Sequence, residues 1–339
     1  MARRLIAIVS LMLTAAAAPA GAADRFVVLE FFGRPQGAYC SAAGPAMRTL
    51  QDQLAGEAEL LEYDYDGFPY GRVERFWASG AQASFLPLVM VGSGYQTSSG
   101  QADYYSEYSG LITLDRLREP EAEVTAFWRR VGASVRSYVT VRNTRVRRLR
   151  VDEQAAVWAV VFERARIGVS DTWVRSTTRH ALAADLRTDE SADLVIDASG
   201  ASLADWNRAA VVVMVEDRPG GGRFDMLQAA LAEPAALGLE PEQVVLSPAS
   251  RTVQVAIGGP HVLSWTAASE VPWLEVSPSA GEVPGTAAVT YRPELRPPGE
   301  LTGAVVIDAT GDGMAFSERL EVELAGQVRH GGGRRVPGP

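Results

Sequence analysis

Apolar positions along this chain change period near residue 119. "RFVVLEFF" (residues 25–32) is almost continuously apolar and rich in β-formers, the pattern of a strand covered on both faces. After the loop "GRPQGAYC", the apolar residues Ala46, Met47, Leu50 and Leu54 recur at helical spacing and predict a helix within "SAAGPAMRTLQDQLAG". "AELLEYDYD" reads as a second strand, Pro87 leads a third into "LVMVG", and "YYSEYSGLITLDRLRE" closes as a helix. Strands and helices in this order predict α/β layering over residues 24–118.

Beyond that point the period shortens. "EVTAFWRRVGASV" reads as the end of a helix, and then come "YVTVRNTRVRRLRV", "AAVWAVVFERARIGV", "TWVRSTTRHALAADL", "ADLVIDA" and "AAVVVMVED". These are strand-length runs separated by polar turns, which predict a β-sandwich over residues 119–239. A helix-like stretch and the linker "LEPEQVVLSP" lead to residues 240–328, where strands again alternate with turns and predict a smaller sandwich. Residues 329–339, "RHGGGRRVPGP", read as a flexible tail.

The first segment resembles a thioredoxin-fold domain of secreted bacterial proteins. "CSAAGPAM" fits that group's cysteine motif with Cys40 as first cysteine, Pro45 and Ala46 retained, and Ala43 where the second cysteine stands. An alternative alignment makes Cys40 the second cysteine and puts Gly37 at the nucleophile position. Leu86-Pro87 matches the cis-proline site, which implies a groove for an extended peptide. "DWNRAAVVVMVEDRPGGGRFDMLQAALAE" resembles the sandwich that follows the thioredoxin domain in outer-membrane-associated members of the group. In the third segment Trp265, Trp273, Pro278, Gly281, Pro298, Gly299 and Gly303 resemble the signature of a BACON-type immunoglobulin-like module. The fold implied is an α/β thioredoxin-like domain followed by two all-β immunoglobulin-like sandwiches.

Composition narrows the chemistry. The chain has 339 residues and a net charge of −9, which argues against nucleic acid or an anionic membrane as partner. Every basic residue is arginine, so Schiff-base lysine chemistry and the lysine-bearing phosphate loop are excluded. Residues 1–23 ("MARR", an apolar stretch, then "APAGAA") have the layout of a secretory signal peptide cleaved after Ala20 or Ala23. Export to the periplasm or cell surface is therefore expected, with no transmembrane segment in the mature chain.

Exported proteins commonly pair their cysteines, yet Cys40 stands alone. At a helix N-terminus it would be a monothiol nucleophile, exchanging disulfides with a thiol-containing protein or a small thiol and running no dithiol cycle. The alternative is a non-catalytic cell-envelope module that binds protein or glycan through its sandwiches. No cofactor is expected, and His180, His261 and His330 have no metal-site spacing. Asp308 and Asp312 lack a full calcium loop, and Asp312-Gly313 reads as a hairpin turn. "RPGGGRF", with Arg218 and Arg223, offers an anion site or a plain strand-to-helix loop. Tyr95, Tyr104, Tyr105 and Tyr108 suit either recognition or packing, and "RNTRVRRLR" reads as a charged, solvent-facing strand.

Overall fold

The opening strand is apolar throughout because it is covered on both sides. In a computed structural model, described over residues 24–67, 71–82, 85–100, 103–200 and 202–325, β1 (Val27–Gly33) is buried at every position. Val27, Leu29 and Phe31 enter one apolar cluster, while Val28 and Phe32 enter another on the opposite face. β1 pairs in parallel with β2 (Ala58–Asp64) and antiparallel with β3 (Leu88–Val91), and β4 (Gln96–Ser99) closes the sheet in the order β2-β1-β3-β4. Helices α1 (Ala38–Gln53) and α3 (Tyr104–Arg116) contribute Met47, Leu50, Tyr108 and Ile112 to the first cluster. α2 (Val73–Ala78) is a short helix whose Phe76 joins the second.

That second cluster is completed by another sheet. β5 (Ala122–Val131), β6 (Ser134–Asn143), β7 (Ala156–Glu163) and β8 (Trp173–Ala181) are followed by β9 (Ser191–Ser199), β10 (Ala209–Asp217), β11 (Asp225–Leu231) and the short β12 (Glu233–Pro234). They form two sheets, β11-β10-β7-β8 and β12-β5-β6-β9. Along β7 the side chains divide by parity. Trp158, Val160 and Phe162 face β1–β3, whereas Val157, Ala159 and Val161 face the second of these sheets. The layers therefore run helices, sheet, sheet, sheet, and β11-β10-β7-β8 is apolar on both faces.

This arrangement corrects the predicted architecture. The chain is predominantly β, with 49 % of residues in strands and 16 % in helices, and has three α-helices among the described residues. An α/β thioredoxin-like domain followed by immunoglobulin-like sandwiches is not what is found, and the family resemblance falls with it. The physical reason is the partner of the first sheet. A continuous apolar run requires cover on both faces but does not say whether helices or strands supply it. Here strands β7, β10 and β11 take the face where α/β layering predicts helices. Residues 122–131 form β5 and residues 225–231 form β11, both where helical segments are predicted. The predicted signal peptide and the predicted tail lie outside the described residues. Among the described residues no helix is long and apolar enough to cross a membrane.

The last part of the chain comprises β13 (Gly238–Glu240), β14 (Gln243–Leu246), β15 (Thr252–Gly258), β16 (Ser264–Ser269) and β17 (Leu274–Ser277). Then follow β18 (Ala280–Glu282), β19 (Gly285–Tyr291), β20 (Thr302–Gly311) and β21 (Met314–Leu324). Two sheets, β13-β15-β19-β17 and β14-β21-β20-β16-β18, share one core around Trp265 and Trp273. The spaced glycines are explained by those rings. A Cβ at Gly281 would sit 2.9 Å from the Trp265 ring, and one at Gly303 the same distance from Trp273. Asp312 and Gly313, both at positive φ, turn β20 into β21 as predicted. Asp312 also binds Arg136 at 3.0 Å and the Tyr138 hydroxyl at 2.6 Å, joining this hairpin to β6.

Between the first sheet and β10 lies a buried ionic cluster. Arg72, wholly buried, donates to Glu30 (2.8 Å) and to Glu216 (2.8 Å). Glu216 also accepts from Arg75 (2.6 Å) and from the Trp158 indole (2.7 Å), while the Tyr63 hydroxyl donates to Glu30 (2.7 Å). Burial pushes the Glu216 carboxyl up, but Arg72 and Arg75 overcome that and hold it down to about 2. Glu216→Gln leaves two buried guanidiniums short of a counter-charge. It is expected to cost about 3–5 kcal/mol in urea unfolding. Because the folded value lies below that of the unfolded chain, Glu216 stabilises above the ordinary glutamate range. That contribution is lost as pH falls toward about 2. The wild-type urea midpoint should drop through this window more steeply than that of Glu216→Gln. Parallel slopes would remove Glu216 from the account.

Candidate functional site

Cys40 is the third residue of α1, three positions past the N-cap Gly37. It is 1 % exposed and belongs to the apolar cluster of Phe31, Met47, Tyr108 and Val169. Its Sγ accepts one backbone N–H, from Arg34 at 3.4 Å. Burial pushes the thiol upward; the Arg34 N–H works against this, and the Glu62 charge adds to it. The two nearby arginines are engaged elsewhere. Arg34 closes on Asp66 at 2.6 Å, and Arg48 donates to the Val169 carbonyl at 2.6 Å. Both positions for a lost second cysteine adjoin Cys40. Ala43 is one helical turn on and fully buried, and a Cβ at Gly37 would lie 3.4 Å from Sγ.

The Leu86-Pro87 peptide is cis, and Leu86 packs on the cluster that holds Cys40. Pro87 is buried, and its carbonyl accepts the Gly100 N–H at 2.9 Å. Sequence reasoning misses what holds α1 in place. The loop between β7 and β8 reaches across, and the buried Glu62 carboxylate accepts from Val169 N (2.8 Å), Ser170 N (2.7 Å) and Ser170 Oγ (2.8 Å). Gln51 of α1 bonds the same loop through Asp171 N and Thr172 Oγ1, both at 3.1 Å. Gly168 was the available signal: a Cβ there would collide with Glu62. This loop, with Val169 inside the cluster, closes the surroundings of the thiol.

The remaining sequence candidates are dispersed. Tyr108 is core, Tyr105 donates to Gln53, and Tyr95 lies under the guanidiniums of Arg118 and Arg223. "RNTRVRRLR" is not one exposed strand: β6 ends at Asn143, and buried Arg145 pairs with Asp217 and Glu121. Asp312 serves the hairpin described above, and Asp308 lies on β20. "RPGGGRF" joins two strands, β10 and β11, instead of a strand and a helix. Among the described residues no group of three His, Cys, Asp or Glu could hold a metal ion.

Two clefts of about 490 Å³ lie outside the Cys40 cluster. One runs beside α1 and β2, where the buried Glu59 pairs with Arg164 at 2.7 Å. The other opens between α2 and the "RPGGGRF" loop and is lined by Trp77, Arg179, Arg218 and Phe224.

No protein-family model and no curated protein matches the chain. Among solved structures, a protein from Agrobacterium tumefaciens is 15 % identical over 61 % of this chain and 93 % of its own, with a TM-score of 0.41. A xyloglucanase from Bacteroides ovatus is 15 % identical over 26 % of this chain and 19 % of its own, with a TM-score of 0.20. A β-glucosidase from Streptomyces venezuelae is 13 % identical over 33 % and 15 %, with a TM-score of 0.21. At such scores none of them carries an argument.

Iodoacetamide should modify Cys40 of the folded protein far more slowly than that of the urea-unfolded chain. Its rate should rise only above the pH range in which an ordinary thiol ionises. Rapid alkylation at neutral pH would contradict both the burial and the raised thiol.

Proposed function

We propose that this protein is an exported, non-catalytic binding module of the cell envelope, with Cys40 as a core side chain and not a nucleophile. One observation carries the reading: the thiol is 1 % exposed inside an apolar cluster and is pushed up by that burial, the opposite of an activated thiolate. A monothiol exchanger needs its sulfur accessible in line with an incoming disulfide. Here α1 is held from outside by the Val169 carbonyl, the Asp171 N–H and the Thr172 hydroxyl. A predominantly β architecture of layered sheets is compatible with a binding role. The leader-like residues 1–23 support export.

Trp265 and Trp273 do not supply the binding surface, since both rings are core and their N–H groups bond Glu282 O and Glu300. Recognition must lie elsewhere on the molecule.

The test pairs two measurements. The folded protein should neither reduce insulin disulfides nor acquire a glutathione adduct from glutathione disulfide by intact mass. Cys40→Ala should retain whatever binding to isolated envelope polysaccharide the wild type has. Adduct formation at the rate of an exposed thiol, or loss of binding in a folded Cys40→Ala, would overturn the reading.

A further inference from the structure

The geometry points to the cleft between α2 and the β10–β11 loop as a site for a carboxylated saccharide of the uronic-acid class, an inference that rests on the binding-module reading. Its wall carries Trp77, which is 43 % exposed. An accessible indole offers the apolar face of a sugar ring a surface to stack on. Beside it are Arg179 and Arg218. Arg218 is held in place: its Nε donates to Gly222 O at 2.7 Å, its backbone N–H donates to Glu153 O, and its guanidinium stacks 5.1 Å from the Phe224 centroid. Phe224 is buttressed on its own account by Arg75 at 4.1 Å. Arg179 donates one Nη to Gln154 O at 2.9 Å.

Neither Arg179 nor Arg218 has a carboxylate within ion-pair distance among the described residues. The protein carries a net charge of −9, and most of its arginines lie against Asp or Glu. Two guanidiniums left unpaired in one cleft mark an anion site there. Among the described residues the one carboxylate lining the cleft is the exposed Glu74, 3.9 Å from Arg75. Arg75 itself is committed to Glu216.

An aromatic face next to two free guanidinium edges complements one ring with an apolar face and an anionic substituent. The cleft volume of about 490 Å³ falls within the range of small-ligand sites. Two of the loop's main-chain donors are already committed within the loop. Gly221 N bonds Arg218 O and Gly222 N bonds Pro219 O. The same loop is the glycine-rich segment that the sequence marks as an anion candidate, now with Arg179 and Trp77 as its partners instead of Arg223, which turns to Tyr95 O.

The experiment is calorimetric titration of the intact mature protein with trigalacturonate, its methyl ester and a glutamate oligomer. Trigalacturonate should bind, more weakly as salt rises, and the ester should lose about tenfold in affinity. Trp77→Ala and Arg179→Gln should each cost about tenfold. Glu74→Gln should tighten binding by about two- to fivefold, an effect that a purely structural role would not produce. Arg179 is exposed, so that variant keeps the test open if Trp77→Ala fails to fold. Absence of trigalacturonate binding, equal binding of the ester, or indifference to all three variants would overturn the inference. So would equal binding of the glutamate oligomer with the same variant dependence, which would assign the cleft to acidic peptide. A chain that binds no uronate but keeps a silent thiol loses this inference alone. Thiol turnover would remove the binding-module reading on which it rests.

Discussion

Arg72 donates to two carboxylates that belong to different sheets, Glu30 on β1 and Glu216 on β10, and all three groups are shut away from water. Isolated, any of these charges would be prohibitively costly at that depth. Together with Arg75 they form two cations and two anions in mutual contact, capped by the Tyr63 hydroxyl and the Trp158 indole. Such a cluster adds little net stability over an apolar seam of the same shape. Its force lies in the alternatives it forbids, since a one-residue slip in β1 or β10 would strand a buried charge. A second tie of the same type, Arg25 to Asp115 and to the carbonyls of Met226 and Leu227, anchors the residues just before β1 to α3 and β11.

From that seam the character of the rest follows. Because β1–β3 rest on β7, β10 and β11, the two longer helices α1 and α3 lie on the outer face of the first sheet, and Cys40 belongs to the cluster they form with β1. The loop after β7 belongs to the same layer, and it is near enough to reach over α1 and place Val169 against the thiol's cluster. A cysteine that opens a helix in isolation would have its thiolate favoured by the helix dipole. Here desolvation dominates, because the neighbouring layer completes the enclosure.

The same seam also assembles the open cleft. Arg75 and Trp77 come from α2, Arg179 from β8 and Arg218 from the loop after β10. Arg75 faces inward to Glu216 and stacks on Phe224, which in turn supports Arg218. The ionic core and the exposed guanidiniums are thus mechanically continuous, although only the latter can meet a ligand.

Local pattern alone determined a good deal. The buried strands β1, β2 and β3, the helices α1 and α3, and the Asp312-Gly313 turn all follow from apolar period and turn chemistry, which are properties of a few consecutive residues. β5 and β11 did not follow, because ten residues such as "AEVTAFWRRV" fit either period until a partner strand selects one. Nor did the cover on β1, since an apolar face records that it is buried and not by what. The placement of Cys40 was legible and its environment was not: the apolar cluster that buries the thiol draws in Val169, more than a hundred residues away in sequence. The pairing of Arg218 with Arg179 and Trp77 has the same origin. Long-range contacts between layers set dielectric, charge partners and exposure, and those quantities exist only once the sheets have met.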